Sequence, residues 1–306
     1  MKQIILTLVA LITMITSTTA FAWPKSFVNA DGSTTTIPTK PVRVLSTSVT
    51  VTGTLLAIDA PLIATATDTT GGFFGQWQTV ANQRSVKKLW PAGSVNLESV
   101  YLERPDLIVV SISGADSALN QVKELRSIAP TIIVDYSTQS WQELAKQMGE
   151  ALGNEQHVKK TVADFEQLVA DAKTQLNLPE GRANIISYHG SGVTNAVAKS
   201  EGAHALLLSA LGFELESPDH SWHTGPTFHS DFVLVNYEKL TELKAETSFL
   251  LEASNVRAQS LMSDVVLKNL PSVKNRQVYG LGENTFRVDL YSSREIIKNM
   301  LARFGS

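Results

Sequence analysis

The sequence predicts an α/β fold: two lobes, each built on a mostly parallel sheet, joined by one long spanning α-helix. Three observations predict it. Strand-like apolar runs alternate with amphipathic stretches along nearly the whole chain, which favours parallel strands with helical crossovers. The stretch 154–176 puts Val158, Val162, Phe165, Val169, Ala172 and Leu176 on one face, in alternating steps of four and three. At about 1.5 Å per residue that helix is about 34 Å long, enough to cross a small domain. On each side lies a segment of about one domain's length that repeats the same alternation. The expected organisation is a leader at 1–22, a first lobe at 23–153, a linker helix at 154–177 and a second lobe at 178–306.

The leader comes first. Lys2 precedes an apolar run from Ile4 to Ile15, a Ser/Thr patch and Ala20-Phe21-Ala22. A positive start, a hydrophobic middle and a small-x-small end read as a secretory signal cleaved after Ala22. The apolar run is too short to remain as a membrane span. From Trp23 onward, Asp31-Gly32 marks a hairpin turn. A strand is expected at 43–46 and a helix at 49–58 carrying Gly53. A strand at 62–66 precedes a Gly- and aromatic-rich loop at 69–77. Arg84, Lys87, Lys88 and Trp90 follow. A short helix at 96–104 stops before Pro105. Then come a buried strand at 107–112, a helix at 117–128, a strand at 131–136 and a helix at 140–152. Gly153 ends that helix. Asn154 is expected to cap the spanning helix by accepting its first free N–H groups, and Glu155 suits its positive start. Asn177 and Pro179 stop it.

The second half repeats the logic. A strand at 183–188, the loop opened by Gly190-Ser191-Gly192, and a helix at 203–211 lead into a long polar loop at 216–230. A short helix at 237–243, a strand at 247–251 and a helix at 256–270 follow. A strand at 277–281, a loop at 282–289 and a helix at 292–304 end the chain. In such folds ligands sit beyond the carboxyl ends of the strands. Two lobes bring those loops face to face.

Composition narrows the function. The 306 residues contain no Cys, which excludes disulfides, thiolate metal sites, a lipid-bearing thiol and cysteine catalysis. With 43% apolar residues the chain can build a core without them. Losing Lys2 with the leader leaves 25 Lys and Arg against 29 Asp and Glu, a net charge of −4. A mildly acidic chain without basic blocks is a poor binder of nucleic acid or anionic membranes. An anionic ligand needs a local basic pocket.

Several segments carry a resemblance. They are Val44-Leu-Ser-Thr-Ser with its following helix, Arg104-Pro-Asp-Leu-Ile-Val-Val, Ile128-Ala-Pro-Thr-Ile-Ile-Val-Asp-Tyr, and Val278-Tyr-Gly-Leu-Gly-Glu-Asn-Thr-Phe-Arg-Val-Asp-Leu-Tyr-Ser. Together they resemble the helical-backbone (class III) substrate-binding proteins of ABC importers for siderophores, haem and cobalamin. Within that family they are most similar to the periplasmic binders of ferric enterobactin. The resemblance covers nearly all of the mature chain and is weakest at 190–230. It implies a periplasmic, monomeric protein without catalytic residues or a resident cofactor. It would capture a ferric catecholate siderophore and deliver it to an inner-membrane ABC permease.

A ferric tris-catecholate is a bulky trianion with aromatic walls, so it calls for cations and flat rings together. The resemblance places Arg84 and Lys88 on basic ligand positions in the first lobe and Arg287 in the second. Trp77, Trp90, Trp222 and Tyr291 are expected ring contacts. Glu98 and Glu238, each early in a short helix, correspond to glutamates that the family presents to the permease. At 195–200 the chain departs from the family pattern.

Two rival readings come from the residues. His220, His223 and His229 lie within ten residues and could hold Zn²⁺ or another transition metal, although loop spacing does not fix them on one face. Haem is a further ligand that the resemblance allows. Ser191 beside His189 hints at a hydrolase, but no Gly-x-Ser-x-Gly elbow, Walker-type loop or dinucleotide fingerprint occurs.

Overall fold

A hairpin opens the chain in the computed structural model, which describes residues 23–225 and 231–306. The expected leader and His229 lie outside the described residues. Lys25–Val28 (β1) and Thr34–Ile37 (β2) pair antiparallel around Asp31-Gly32, where Gly32 has a φ of 80°. That positive φ suits a residue without a Cβ.

The first lobe alternates strand and helix. Its elements are Val44–Ser46 (β3), Val49–Ala57 (α1), Leu62–Thr67 (β4), Gly75–Gln83 (α2), Lys87–Pro91 (β5), Leu97–Glu103 (α3) and Leu107–Ser111 (β6). A 3-10 turn at Leu119–Gln121 runs into Val122–Ile128 (α4). Thr131–Val134 (β7) and Trp141–Leu152 (α5) complete it. The sheet has the order β5-β4-β3-β6-β7 and every pair is parallel. Helices cover both faces, so β3, β6 and β7 are buried throughout and read as apolar runs. Two elements differ from the sequence expectation. The chain from 75 to 83 is helical, where part of a loop was expected, and 87–91 is an edge strand.

The spanning helix is Glu155–Gln175 (α6), 21 residues. Val158, Val162, Phe165 and Ala172 are buried, while Val169 and Leu176 are partly so. Phe165 meets Trp141 of α5 edge-on, with ring centroids 5.0 Å apart. The expected cap at Asn154 is corrected. Its side chain makes no capping bond; instead its Nδ2 donates to the Ile58 carbonyl at 2.7 Å. Gly153, left-handed at the end of α5, turns Asn154 against the end of α1, and that contact takes the amide. Glu155 pairs with Lys25 at 2.6 Å.

The second lobe contains Arg182–Ser187 (β8), Asn195–Ala198 (β9), Ala203–Ala210 (α7), Glu214–Leu215 (β10), Phe232–Val235 (β11) and Thr247–Leu250 (β12). Asn255–Met262 (α8), Pro271–Lys274 (α9), Val278–Gly280 (β13) and Leu290–Phe304 (α10) follow, with 3-10 turns at His220–Trp222, Tyr237–Glu242 and Leu267–Asn269. The sheet order is β11-β9-β8-β12-β13, with the short β10 also on β8. β8, β12 and β13 are parallel, whereas β9 runs antiparallel to β8 and β11. The segment 195–200 therefore holds a strand. The single helix expected at 256–270 is broken after Met262. There Asp264 accepts the hydroxyls of Tyr188 and Tyr237 and the N–H of Val266, a local arrangement that competes with helix.

One apolar core runs through both lobes, from Val44 and Leu107 through Phe165 to Phe249 and Met300. α10 packs on α6 and also on α1 and α2 of the first lobe. Two close approaches mark that seam. A Cβ on Gly53 would lie 2.1 Å from Asp289 Oδ2, and one on Gly75 would lie 2.1 Å from Asn284 Oδ1. Both glycines let the second lobe's last loop press directly on the first.

Candidate functional site

A cleft of about 390 Å³ opens between the lobes. Every described segment lining it follows a strand at its carboxyl end, as expected for parallel sheets. Thr50 follows β3, Asp68–Phe74 follows β4, and Asp116 follows β6. From the other lobe, Glu252 follows β12, and Glu283, Asn284, Phe286 and Arg287 follow β13.

Arg287 is the cation in this lining. Its guanidinium carbon lies 4.5 Å from the Phe286 ring centroid and 5.3 Å from the ring of Tyr136 in the opposite lobe. Nη1 is 3.9 Å from Asp231 Oδ2, a loose ion contact, and buried Nε has no hydrogen-bond partner among the described residues. The loop beneath it is held firmly. His204 is buried, and burial pushes its imidazole down to about 4. It is therefore neutral, and its Nε2–H donates to the Thr285 carbonyl at 2.8 Å. Thr285 Oγ1 donates in turn to the Gly282 carbonyl at 2.9 Å.

Carboxylates share the cleft. Asp116 is buried and accepts Ser48 Oγ–H at 2.6 Å and the Thr50 N–H at 2.9 Å, at the start of α1. Asp68 loses solvation, which raises its carboxyl, but hydrogen bonds from Thr70 and the Gly72 N–H outweigh this and hold it below its ordinary value. Burial raises Glu252, against the opposing pull of His189, Arg257 and Arg287. Phe73 and Phe74 add rings from the first lobe.

The sequence-predicted site residues divide. Arg287 lines the cleft. Lys88 does not line it, although its Nζ is 4.9 Å from the ring of Phe73, which does. The expectation for Arg84 is corrected. Its guanidinium donates to the carbonyls of Leu56 and Ala60 and pairs with Asp59 at 3.3 Å, closing the end of α1 away from the cleft. Trp77 is fully buried under Phe73 and Phe74, with centroids 5.3 and 6.0 Å away, and Trp90 is 4% exposed in the outer core. Neither reaches the cleft. Trp222 packs on the second lobe's outer core with Lys239 5.5 Å over its ring, and does not line the cleft. Tyr291 sits on the α1–α10 seam, where burial and Asp289 push its hydroxyl up to about 12. Glu98 and Glu238 are exposed in the first turns of α3 and of the 3-10 turn Tyr237–Glu242.

The histidines do not converge among the described residues. His220 faces Glu201 at 3.9 Å, His223 Nδ1 accepts the Leu234 N–H at 3.3 Å, and His189 Nε2 is 3.0 Å from Ser187 Oγ. No group of three His, Asp or Glu there could hold a metal ion. No described helix is long and apolar enough to cross a membrane. Sequence reasoning gave no role in the cleft to Tyr136, Asp231, His204 or Asp116, each one residue from a separate loop or helix. A carboxylate in the loop that follows an apolar strand, as after β6, is the one signal that could have pointed to Asp116.

Comparisons with known proteins agree with this geometry. Residues 44–285 match the family described as periplasmic binding protein. The ferric enterobactin-binding periplasmic protein FepB of Escherichia coli O6:H1 (strain CFT073) is 35% identical over 304 residues, 96% of this chain and 95% of that protein. The crystal structure of holo-ViuP superposes with a TM-score of 0.92 at 58% identity, covering 93% of this chain and 96% of that one. The FhuD protein from S. pseudintermedius, 19% identical, shares the fold with a TM-score of 0.70 over 92% of this chain and 99% of its own. The expected architecture of two α/β lobes and a connecting helix is borne out.

Proposed function

The chain belongs to the periplasmic binding protein family, and from that premise we propose that it captures a ferric siderophore of the catecholate, enterobactin-like class. It hands the complex to an inner-membrane ABC permease and does no chemistry on it. The leader is removed after Ala22, the mature monomer works in the periplasm, and residues 154–177 join lobes at 23–153 and 178–306. The observation that carries the ligand reading is Arg287. It is a cation seated between the Phe286 and Tyr136 rings in the interlobe cleft, with Phe73 and Phe74 on the lining and Lys88 over the Phe73 ring. A guanidinium fork can engage catecholate oxygens in pairs, and the rings can meet catechol faces. Arg287→Gln is expected to weaken ferric enterobactin binding about tenfold or more, read by tryptophan quenching at two salt concentrations. Its salt dependence should be shallower and its melting temperature unchanged. Unaltered affinity, or a loss matched by global unfolding, removes Arg287 from the ligand site.

Glu98 and Glu238 are the proposed permease contacts. Each is exposed just after an edge strand, β5 or β11, and each edge strand is two places from its sheet's central strand, β3 or β8. One ion pair per lobe fixes orientation more than affinity. A Glu98→Ala, Glu238→Ala protein should bind ferric enterobactin normally yet fail to support uptake. Normal uptake would defeat the docking role.

A further inference from the structure

A second cavity lies beside the spanning helix, and the family reading does not use it. It measures about 180 Å³ and has walls from both lobes and the helix between them. Trp141 of α5 and Phe165 and Val169 of α6 form one side; Leu206 and Ala210 of α7 and Ser293 of α10 form the other. Trp141 and Phe165 stand edge-to-face. Leu206, on the cavity wall, is 45% exposed.

Two polar groups, one on each side of this cavity, are unanswered. Trp141 Nε1 and Ser293 Oγ are buried and have no hydrogen-bond partner among the described residues, although Trp141 is 3% exposed and Ser293 not at all. Buried donors normally find partners. Apolar cavities of about 150 Å³ hold a benzene-sized ring. We propose that this cavity is a second binding site, for a small planar aromatic molecule carrying one hydroxyl. The ring lies against Trp141 and Phe165. Its oxygen accepts from Trp141 Nε1, and its O–H donates to Ser293 Oγ. Phenol has that chemistry in its smallest form, and benzene lacks only the oxygen.

The test uses the ligand-free mature chain, so it stands apart from the siderophore reading. Phenol and benzene are titrated while ¹H–¹⁵N spectra follow the five tryptophan indoles. Phenol is expected to shift the Trp141 indole selectively and saturably, with a Kd of roughly 1 mM or tighter. Benzene should bind severalfold more weakly. Ser293→Ala should weaken phenol severalfold, leaving it above benzene because the Trp141 bond remains, and should leave benzene unchanged. Ala210→Phe, at an exposed position on the rim, should abolish both, and Leu206→Trp provides a second plug if the first variant melts early. Equal affinities for phenol and benzene, shifts spread over all indoles, or binding that survives both plugs would overturn the proposal.

Discussion

Asp289 is a buried carboxylate at the start of α10, and the first lobe is pressed against it. It caps the helix by accepting the N–H groups of Tyr291 and Ser292 at 2.8 and 3.0 Å, and Gln76 Nε2 reaches its other oxygen at 3.3 Å. Burial nevertheless dominates these bonds and raises its carboxyl from 3.8 to about 6. Between those two values the folded protein holds a proton that the unfolded chain has released. Stability from this group is therefore full below pH 4 and falls as pH rises through 6. The difference corresponds to about 3 kcal/mol. Asp289→Asn keeps a capping oxygen and removes the titration, so its stability relative to the wild type should rise between pH 4 and 7. Urea unfolding midpoints measured across that range test this, and parallel curves would refute it. Tyr291, whose hydroxyl burial and Asp289 raise to about 12, stays neutral throughout.

At the scale of elements, α6 holds the lobes through packing more than through its ends. Its amide cap is diverted to Ile58, while Phe165 and Trp141 lock it to α5. Phe165→Pro should cost about 3 kcal/mol or more, by removing a backbone bond and clashing with the preceding turn. Phe165→Leu should cost less, since volume is roughly kept. Similar unfolding midpoints for the two variants would show that helix continuity is unimportant there. Helices of this kind were legible because their apolar faces and caps are local. Asn96, Ser140 and the long face of 158–176 are examples. Gly75–Gln83 escaped notice because it starts on Gly75 behind Phe74 with no side-chain cap, and that glycine is required by Asn284 in the other lobe. Lys87–Pro91 is an edge strand whose charged outer positions hide the alternation. The site was legible only where one segment carries it, as in Phe286-Arg287. Arg84 and the tryptophans have the right chemistry, but carbonyls at the end of α1 and the apolar cores claim them, and no local pattern reveals such long-range partners.

Across the whole molecule, the lobes are joined three times over. α6 spans them, α10 crosses from the second sheet onto α1 and α2, and the loop 282–289 touches the first lobe through the Gly53–Asp289 and Gly75–Asn284 approaches. A single core continues across the seam, and packed interiors resist continuous deformation. Hinge closure of the sort seen between lobes on flexible strands would have to break this packing. It would also have to part Tyr136 from Arg287 behind the cleft. Binding energy from a cleft of this size, with one loosely paired arginine, is a poor match for that cost. Ligand capture should therefore proceed with local adjustment of Arg287 and the loop at 68–74, while the lobes keep their relation. Solution scattering of the protein with and without ferric enterobactin should show radii of gyration that agree within about 1 Å. Gly53→Ala supplies the contrast. Its Cβ cannot coexist with the buried Asp289 carboxylate, so the seam must loosen, and the variant should melt earlier and show a larger change on loading. A large compaction of the wild-type protein on binding would mean that the shared core yields far more readily than its packing implies.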